Sequence, residues 1–303
     1  MRIACLSGGV GGAKLARGLQ DILGPGELTV IGNVGDDVEV LGLHVSPDLD
    51  SVLYALAGLN DEERGWGRAG ETWKTLEAAT QWGGEGWFML GDLDLGLHLV
   101  RTQALRTGDA LSEVTARLAE AVGLASALLP ATDDPLRTSV VTPGGTFPFQ
   151  EWFVARRHAD EVDAMVFAGA DTARPAPGVL EAIRDADAVV VAPSNPYTSI
   201  HPILAIDRIR EAVAGSRART VAVSPLVGGR AVKGPLDRML TRMAGGTSPA
   251  HVTDCYEGLI GALVVDRADA PAEADVPLVV TNTLMTDRDA ARKLAEIVLE
   301  AVA

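Results

Sequence analysis

The chain has 303 residues, 47% of them hydrophobic and only 4% aromatic, with a formal net charge of −15. That acidity argues against a broad nucleic-acid or anionic-membrane footprint, and two cysteines, Cys5 and Cys255, cannot form a disulfide framework or a zinc ligand set. A core so poor in aromatics must be built from Ala, Val, Leu and Ile, which suits a parallel sheet buried between helices.

The chain opens on the apolar run Ile3–Leu6, in which Cys5 reads as a small buried hydrophobe. Next comes the turn Ser7-Gly8-Gly9-Val10-Gly11-Gly12, leading into a helical stretch from Ala13. A second strand, Leu28–Ile31, stops at Gly32-Asn33-Val34-Gly35-Asp36-Asp37. Strand, glycine turn, helix and strand in this order predict a Rossmann-like, doubly wound, mostly parallel α/β sheet. Further strands are expected at Ala188–Ala192, Thr220–Val223 and Val276–Thr281, with an amphipathic helix over Asp287–Val302. Between them the texture changes. Val52, Leu53, Leu56 and Leu59, then Leu111, Val114, Leu118, Ala121 and Val122, follow helical spacing, and Trp66, Trp73, Trp82 and Trp87 fall in the same span. A hairpin is expected near Ser139–Phe149. The pattern divides the chain into a nucleotide-binding core of residues 1–50 and 150–303 and a helical insertion, 51–149, packed over the sheet edge. The segment before the glycines is too short for a signal peptide and no apolar run spans a bilayer, so a cytoplasmic protein is expected.

Each informative polar cluster follows a predicted strand, where open α/β sheets bind ligands. Gly8, Gly9, Gly11 and Gly12 permit a tight turn and close approach to a phosphate at a helix N-terminus, and Lys14 adds a charge one turn on. The same residues also suit an ordinary strand–helix turn. Asp36, Asp37, Asp48 and Asp50 place four carboxylates within fifteen residues. Such a cluster calls for a hard divalent cation, although Asp50 before Val52 equally suits helix capping. Asp92, Asp94 and His98 fit either a cleft or a capped, packed helix. The turn Pro193-Ser194-Asn195-Pro196-Tyr197-Thr198-Ser199 offers donors to a phosphate or a base.

Taken together, Ser7 to Leu15, Asn33-x-x-Asp36-Asp37, Pro47-Asp48-Leu49-Asp50-Ser51-Val52-Leu53-Tyr54, Leu90-Gly91-Asp92-x-Asp94-x-x-x-His98, Asp133-Asp134-Pro135, Phe149-Gln150-x-Trp152 and Pro193-Ser194-Asn195-Pro196-x-Thr198-Ser199-Ile200 resemble the CofD/FbiA family across essentially the whole chain. These enzymes are 2-phospho-L-lactate transferases of coenzyme F420 biosynthesis. The resemblance implies Mg²⁺-dependent transfer of a phospholactyl or phosphoenolpyruvyl group. The donor is a guanosine diphosphate ester, the acceptor is the ribityl hydroxyl of the deazaflavin Fo, and GMP leaves. It implies that Gly8, Gly9, Gly11, Gly12, Lys14, Asn33, Ser194, Asn195, Pro196, Thr198 and Ser199 hold the nucleotide. Asp36, Asp37 and Asp48 would hold the metal, and Asp50 would contact Fo and take its hydroxyl proton. Met89, Asp92 and His98 would complete the Fo site, with the tryptophan-rich insertion supplying apolar walls. A homodimer is also implied. The sequence departs from the family pattern at Met89, Leu93 and Gly96, all on the Fo side.

Two other readings compete. A CofD-like regulator binding a nucleotide sugar without turnover shares the glycine turn and the Asp-Asp signature. An NAD(P) oxidoreductase would need a hydride-transfer constellation that the sequence does not offer.

Overall fold

The computed structural model describes residues 1–302. Seven strands form the central sheet: β1 (Ile3–Ser7), β2 (Leu28–Gly32), β3 (Ala127–Pro130), β4 (Ala188–Val191), β5 (Thr220–Val223), β6 (Ala262–Asp266) and β7 (Leu278–Thr281). Their spatial order is β7-β6-β5-β4-β1-β2-β3, and every pairing is parallel. The winding direction reverses between β1 and β4. Right-handed crossovers leaving that point in opposite directions carry their helices to opposite faces. The inner strands are therefore covered on both sides, and all residues of β1, β4, β5 and β6 are buried.

Helix α1 (Gly9–Ile22) follows β1 directly and packs beside α2 (Pro47–Ala57) and the C-terminal helix, here α5 (Arg288–Glu300). Its glycines serve that packing. A side-chain carbon at Gly11 would lie 2.5 Å from the backbone carbonyl oxygen of Pro193, and one at Gly12 would strike the hydroxyls of Ser7 and Ser194. The smallness of these two residues lets α1 start tightly against the end of β4.

Two strands of the central sheet were not expected from the sequence. β3, only four residues long, follows a helix and sits at the sheet edge, where its Ala-Leu-Leu-Pro run resembles a helix end. β6, Ala-Leu-Val-Val-Asp, is a short apolar run between loops that ends in the polar turn Asp266-Arg267-Ala268-Asp269. The presence of β3 changes the division of the chain, because part of the span 51–149 belongs to the central sheet. α2 also packs on α1 in the core. The insertion thus narrows to the helices Lys74–Gln81, α3 (Asp92–Arg106) and α4 (Leu111–Ala121), with the loops between them. The expected hairpin forms from Arg137–Thr142 and Gly145–Pro148, and Ala164–Ala168 adds a third antiparallel strand. The tryptophans do not form one wall. Trp82 is 91% exposed, and the Arg64 guanidinium lies 4.8 Å from the Trp66 ring and 5.0 Å from that of Trp73.

This packing makes two glycines behave oppositely. Gly11→Ala drives a carbon into a backbone carbonyl and should cost about 1–3 kcal/mol of stability. Gly96, inside α3, has nothing within 4 Å of its missing side chain. Gly96→Ala should therefore stabilise by about 0.5–1 kcal/mol through helix propensity. Denaturant unfolding of both variants checks this, and equal effects of the same sign would contradict the packing assignment.

Candidate active site

At the carboxyl edge of β2 the chain turns sharply into Asn33, which is fully buried and organises the site. Its amide nitrogen donates to Asp36 Oδ1 at 3.1 Å, Asp48 Oδ2 at 3.0 Å and the Thr198 carbonyl at 3.2 Å. Its own oxygen accepts from the Gly35 N–H at 2.7 Å. One amide thus joins the loop after β2, the first turn of α2 and the turn after β4. These are the segments that the sequence marks as polar clusters, and the fold brings them to one place beside the switch point.

Asp48 stands between two helix N-termini. It lies in the first turn of α2, behind Pro47, and its Oδ1 also accepts the Gly9 N–H at the start of α1, 2.6 Å away. The anion that the glycine turn holds in this structure is the protein's own carboxylate. Gly8 and Gly9 allow the approach: Gly9 has φ of 61°, and a side-chain carbon at Gly8 would collide with Asp48 and Ser199. The other carboxylates are similarly engaged. Asp36 accepts from Gln150 Nε2 at 3.2 Å, while Asp37 Oδ2 accepts from Ser46 Oγ and faces His44 Nε2, both at 2.9 Å. Asp37 Oδ1 is buried with no hydrogen-bond partner. Burial, then the neighbouring charges of Asp48 and Asp37, push the Asp36 carboxyl well above the usual carboxylate range. Burial likewise pushes Asp48 up to about 6, against the opposing hydrogen bonds from Asn33 and Gly9. Among the described residues, no three Asp, Glu, His or Cys side chains already converge as a metal ligand set.

Asp50, two residues on, faces a different neighbourhood. Both of its oxygens are held by Arg101 of α3, with Nη1 to Oδ2 at 3.0 Å and Nη2 on Oδ1. His98 lies between Asp50, 3.8 Å away, and Asp94, 3.6 Å away, and the Tyr54 hydroxyl donates to Asp94. Asp94, His98 and Arg101 recur at intervals of four and three residues along one face of α3. That spacing was the available signal for Arg101, which the sequence reading missed because an arginine on a helix ordinarily marks a solvated face.

Other residues singled out from the sequence have separate tasks. Lys14 sends its ammonium to the Met285 carbonyl, 3.0 Å away. Ser194 exchanges hydrogen bonds with the Gly8 backbone, and Asn195 accepts from the Tyr197 N–H at 3.0 Å. Pro196 opens a buried π-helical turn, Pro196–Ile200, that carries Thr198 and Ser199 to Asn33 and Asp48. Gly11 and Gly12 face protein atoms, as described above. Asp92 caps the helix Lys74–Gln81, accepting from Thr72 and from the N–H groups of Thr75 and Lys74. The Thr72 hydroxyl, followed by the Thr75 N–H, holds its carboxyl down at about 2. Met89 is 43% exposed, and His98 is buried inside the Asp50 network.

The raised carboxyls have a pH signature. An unfolded Asp ionises near 3.8, whereas burial keeps the proton on folded Asp48 up to about 6. Its contribution to stability is complete below the first value and is lost as pH rises through the second. In metal-free protein, the stability of Asp48→Asn relative to wild type should therefore rise by about 2–3 kcal/mol between pH 4 and 6.5. Urea unfolding across that window measures it, and a pH-independent difference would contradict the burial of an unneutralised carboxyl.

Comparison with known proteins places this geometry. The family model described as 2-phospho-L-lactate transferase CofD matches residues 3–301. A phosphoenolpyruvate transferase of Kitasatospora aureofaciens is 44% identical over 99% of this chain and 97% of its own length. One from Streptomyces griseus is 43% identical over 99% and 98%, and one from Thermobifida fusca is 44% identical over 89% and 88%. Among solved structures, a UPF0052 family protein of Bacillus halodurans superposes with a TM-score of 0.64 at 20% identity, covering 98% of both chains, which bears on the fold alone. With a family match over nearly its whole length and close relatives of similar size, the chain belongs to the CofD family of transferases.

Proposed function

We propose that the chain transfers a phosphoenolpyruvyl group from a guanosine diphosphate ester to the terminal ribityl hydroxyl of Fo, releasing GMP, in coenzyme F420 biosynthesis. Full-length similarity to enzymes named phosphoenolpyruvate transferase favours the enolpyruvyl over the lactyl donor. The observation that carries the reading is the meeting of Asp36 and Asp48 on the Asn33 amide, with Asp48 also on the glycine turn, beside the switch point.

The residues fit a hard divalent cation such as Mg²⁺. They supply carboxylate oxygens, Asp37 Oδ1 is buried without a partner, and burial, then the neighbouring carboxylates, hold Asp36 toward its neutral form. Asp36, Asp37 and Asp48 would hold it. When bound, it would neutralise the donor's pyrophosphate and the charge that develops on the transferred phosphoryl group. The nucleotide would lie along the glycine turn and the Thr198-Ser199 turn, where α1 and α2 both present their N-termini. Asp48 would then leave the Gly9 N–H free for a phosphate oxygen. Asp50 orients the attacking hydroxyl and accepts its proton, because a carboxylate has acceptor sites to spare beside the two that Arg101 uses. The ribityl chain would approach from the insertion side, where Met89 is exposed. We assign the reaction to the cytoplasm, in keeping with the lack of any helix long and apolar enough to cross a membrane among the described residues. We also propose a homodimer, and the exposed Leu93, Leu99 and Val100 of α3 give it an apolar surface.

Incubation with Fo, Mg²⁺ and either ester, followed by mass spectrometry, tests the reading. The enolpyruvyl ester should give a product lighter by two hydrogens than the lactyl product, and it should react faster. No product from either ester, with protein that binds Fo, would contradict the assignment. Asp50→Asn should slow turnover by about 10²–10⁴-fold, the usual loss of general-base assistance. A folded variant keeping half the wild-type rate would leave Asp50 only a structural role, as the partner of Arg101 inside the first turn of α2.

A further inference from the structure

One fully buried side chain beside Asp50 has no part of its own in the chemistry described so far. Arg101 is 1% exposed, and both terminal nitrogens of its guanidinium point at Asp50. Its Nε is buried with no partner. A buried guanidinium is costly unless it is well paired, and here the pairing is a two-point fork on one carboxylate. The neighbours extend the pair into a polar seam between α2 and α3. Asp50 and Tyr54, one turn apart on α2, meet Asp94, His98 and Arg101, which share one face of α3. His98 fills the space between the two carboxylates, with its Nδ1 3.4 Å from Arg101 Nη1 and its Nε2 unpartnered.

This arrangement has a geometric consequence. Asp50 lies in the first turn of α2, which fixes its backbone but leaves its side-chain torsions free. A single hydrogen bond would let the carboxylate rotate. A planar fork on both oxygens fixes the plane of the group, leaving the remaining lone pairs in set directions. A capping role needs no such fork. The fork also belongs to α3, the helix of the insertion, so the orientation of Asp50 depends on how the insertion docks against the core.

We infer that Arg101 is a positioning residue that fixes the plane of the Asp50 carboxylate against the acceptor hydroxyl, with His98 and Tyr54 bracing the seam. The inference rests on the reading of Asp50 given above. A misplacement of about 1 Å in a reacting group can cost on the order of 10²-fold in rate. Lysine keeps the charge but offers a point in place of a fork, so Arg101→Lys isolates orientation from charge.

The test is a cycle of Arg101→Lys, Asp50→Asn and the double variant, measured as kcat and as KM for the guanosine diphosphate ester at saturating Fo, with thermal melts alongside. Arg101→Lys should lower kcat by about 10–10²-fold with the donor KM changed less than about threefold. The double variant should be no slower than Asp50→Asn alone. If Arg101→Lys retains the wild-type kcat while Asp50→Asn is slow, the positioning role is wrong and the Asp50 reading stands. Additive losses in the double variant would also overturn it, since Arg101 would then act independently of Asp50. If Asp50→Asn itself keeps its rate, the underlying reading of Asp50 fails first. Should Arg101→Lys not fold, Arg101→Gln in the Asp50→Asn background removes both charges together. That protein should match Asp50→Asn in rate, and a further tenfold loss would contradict the proposal.

Discussion

The structure depends on the cost of burying carboxylates beside one another. Asp36, Asp37, Asp48 and Asp50 are each no more than about 6% exposed, at the one place where the direction of the sheet reverses. Carboxylates removed from water are stable only when paired, hydrogen-bonded or neutralised. Here each finds a different remedy. Asp50 takes a guanidinium, Asp48 two helix N-termini and an amide, and Asp37 a hydroxyl and an imidazole, while Asp36 shifts toward its neutral form. The remedies are incomplete, as the unpartnered Asp37 Oδ1 shows. A site so arranged is suited to receive positive charge and a polyanion together.

The rest of the architecture serves that cluster. Parallel strands deliver their carboxyl ends to one edge, and small residues at Gly11 and Gly12 let α1 begin close to β4. Asn33 then joins three loops through one amide, so that moving any of them disturbs the others. The helical insertion is tied in by the Asp50–Arg101 fork and the Tyr54–Asp94 bond. The glycine turn and the insertion thus meet through two residues of α2, Asp48 and Asp50, which flank Leu49.

Much of this was legible in the sequence, for identifiable reasons. Buried parallel strands such as Ala188–Val191 are continuous apolar runs, and loops that end in glycine and aspartate mark where they stop. Ile3–Ser7 and Leu28–Gly32 were found for the same reason. Ala127–Pro130 was not, because four residues at a sheet edge carry no periodicity, and the division of the chain was misplaced with it. Site residues were legible by type and less so by task. Asp48 and Asp50 stood out, yet Asp48's partner at Gly9 and Asp50's partner at Arg101 lie 39 and 51 residues away in sequence. Asp92 and Ser194 were read as ligand contacts, and in the structure they cap a helix and hold the Gly8 backbone, tasks that call for the same residue types as holding a substrate. Only the three-dimensional pairing separates the two.

The central claim, that the buried carboxylates form a cation site completed by a nucleotide diphosphate, is tested most directly by calorimetric titration of Mg²⁺ into metal-free protein with and without guanosine diphosphate. The account predicts a single saturable site per chain in the presence of the nucleotide, lost in Asp37→Asn and Asp48→Asn proteins that remain folded. Equal Mg²⁺ binding in those variants, or no binding with the nucleotide present, would contradict it.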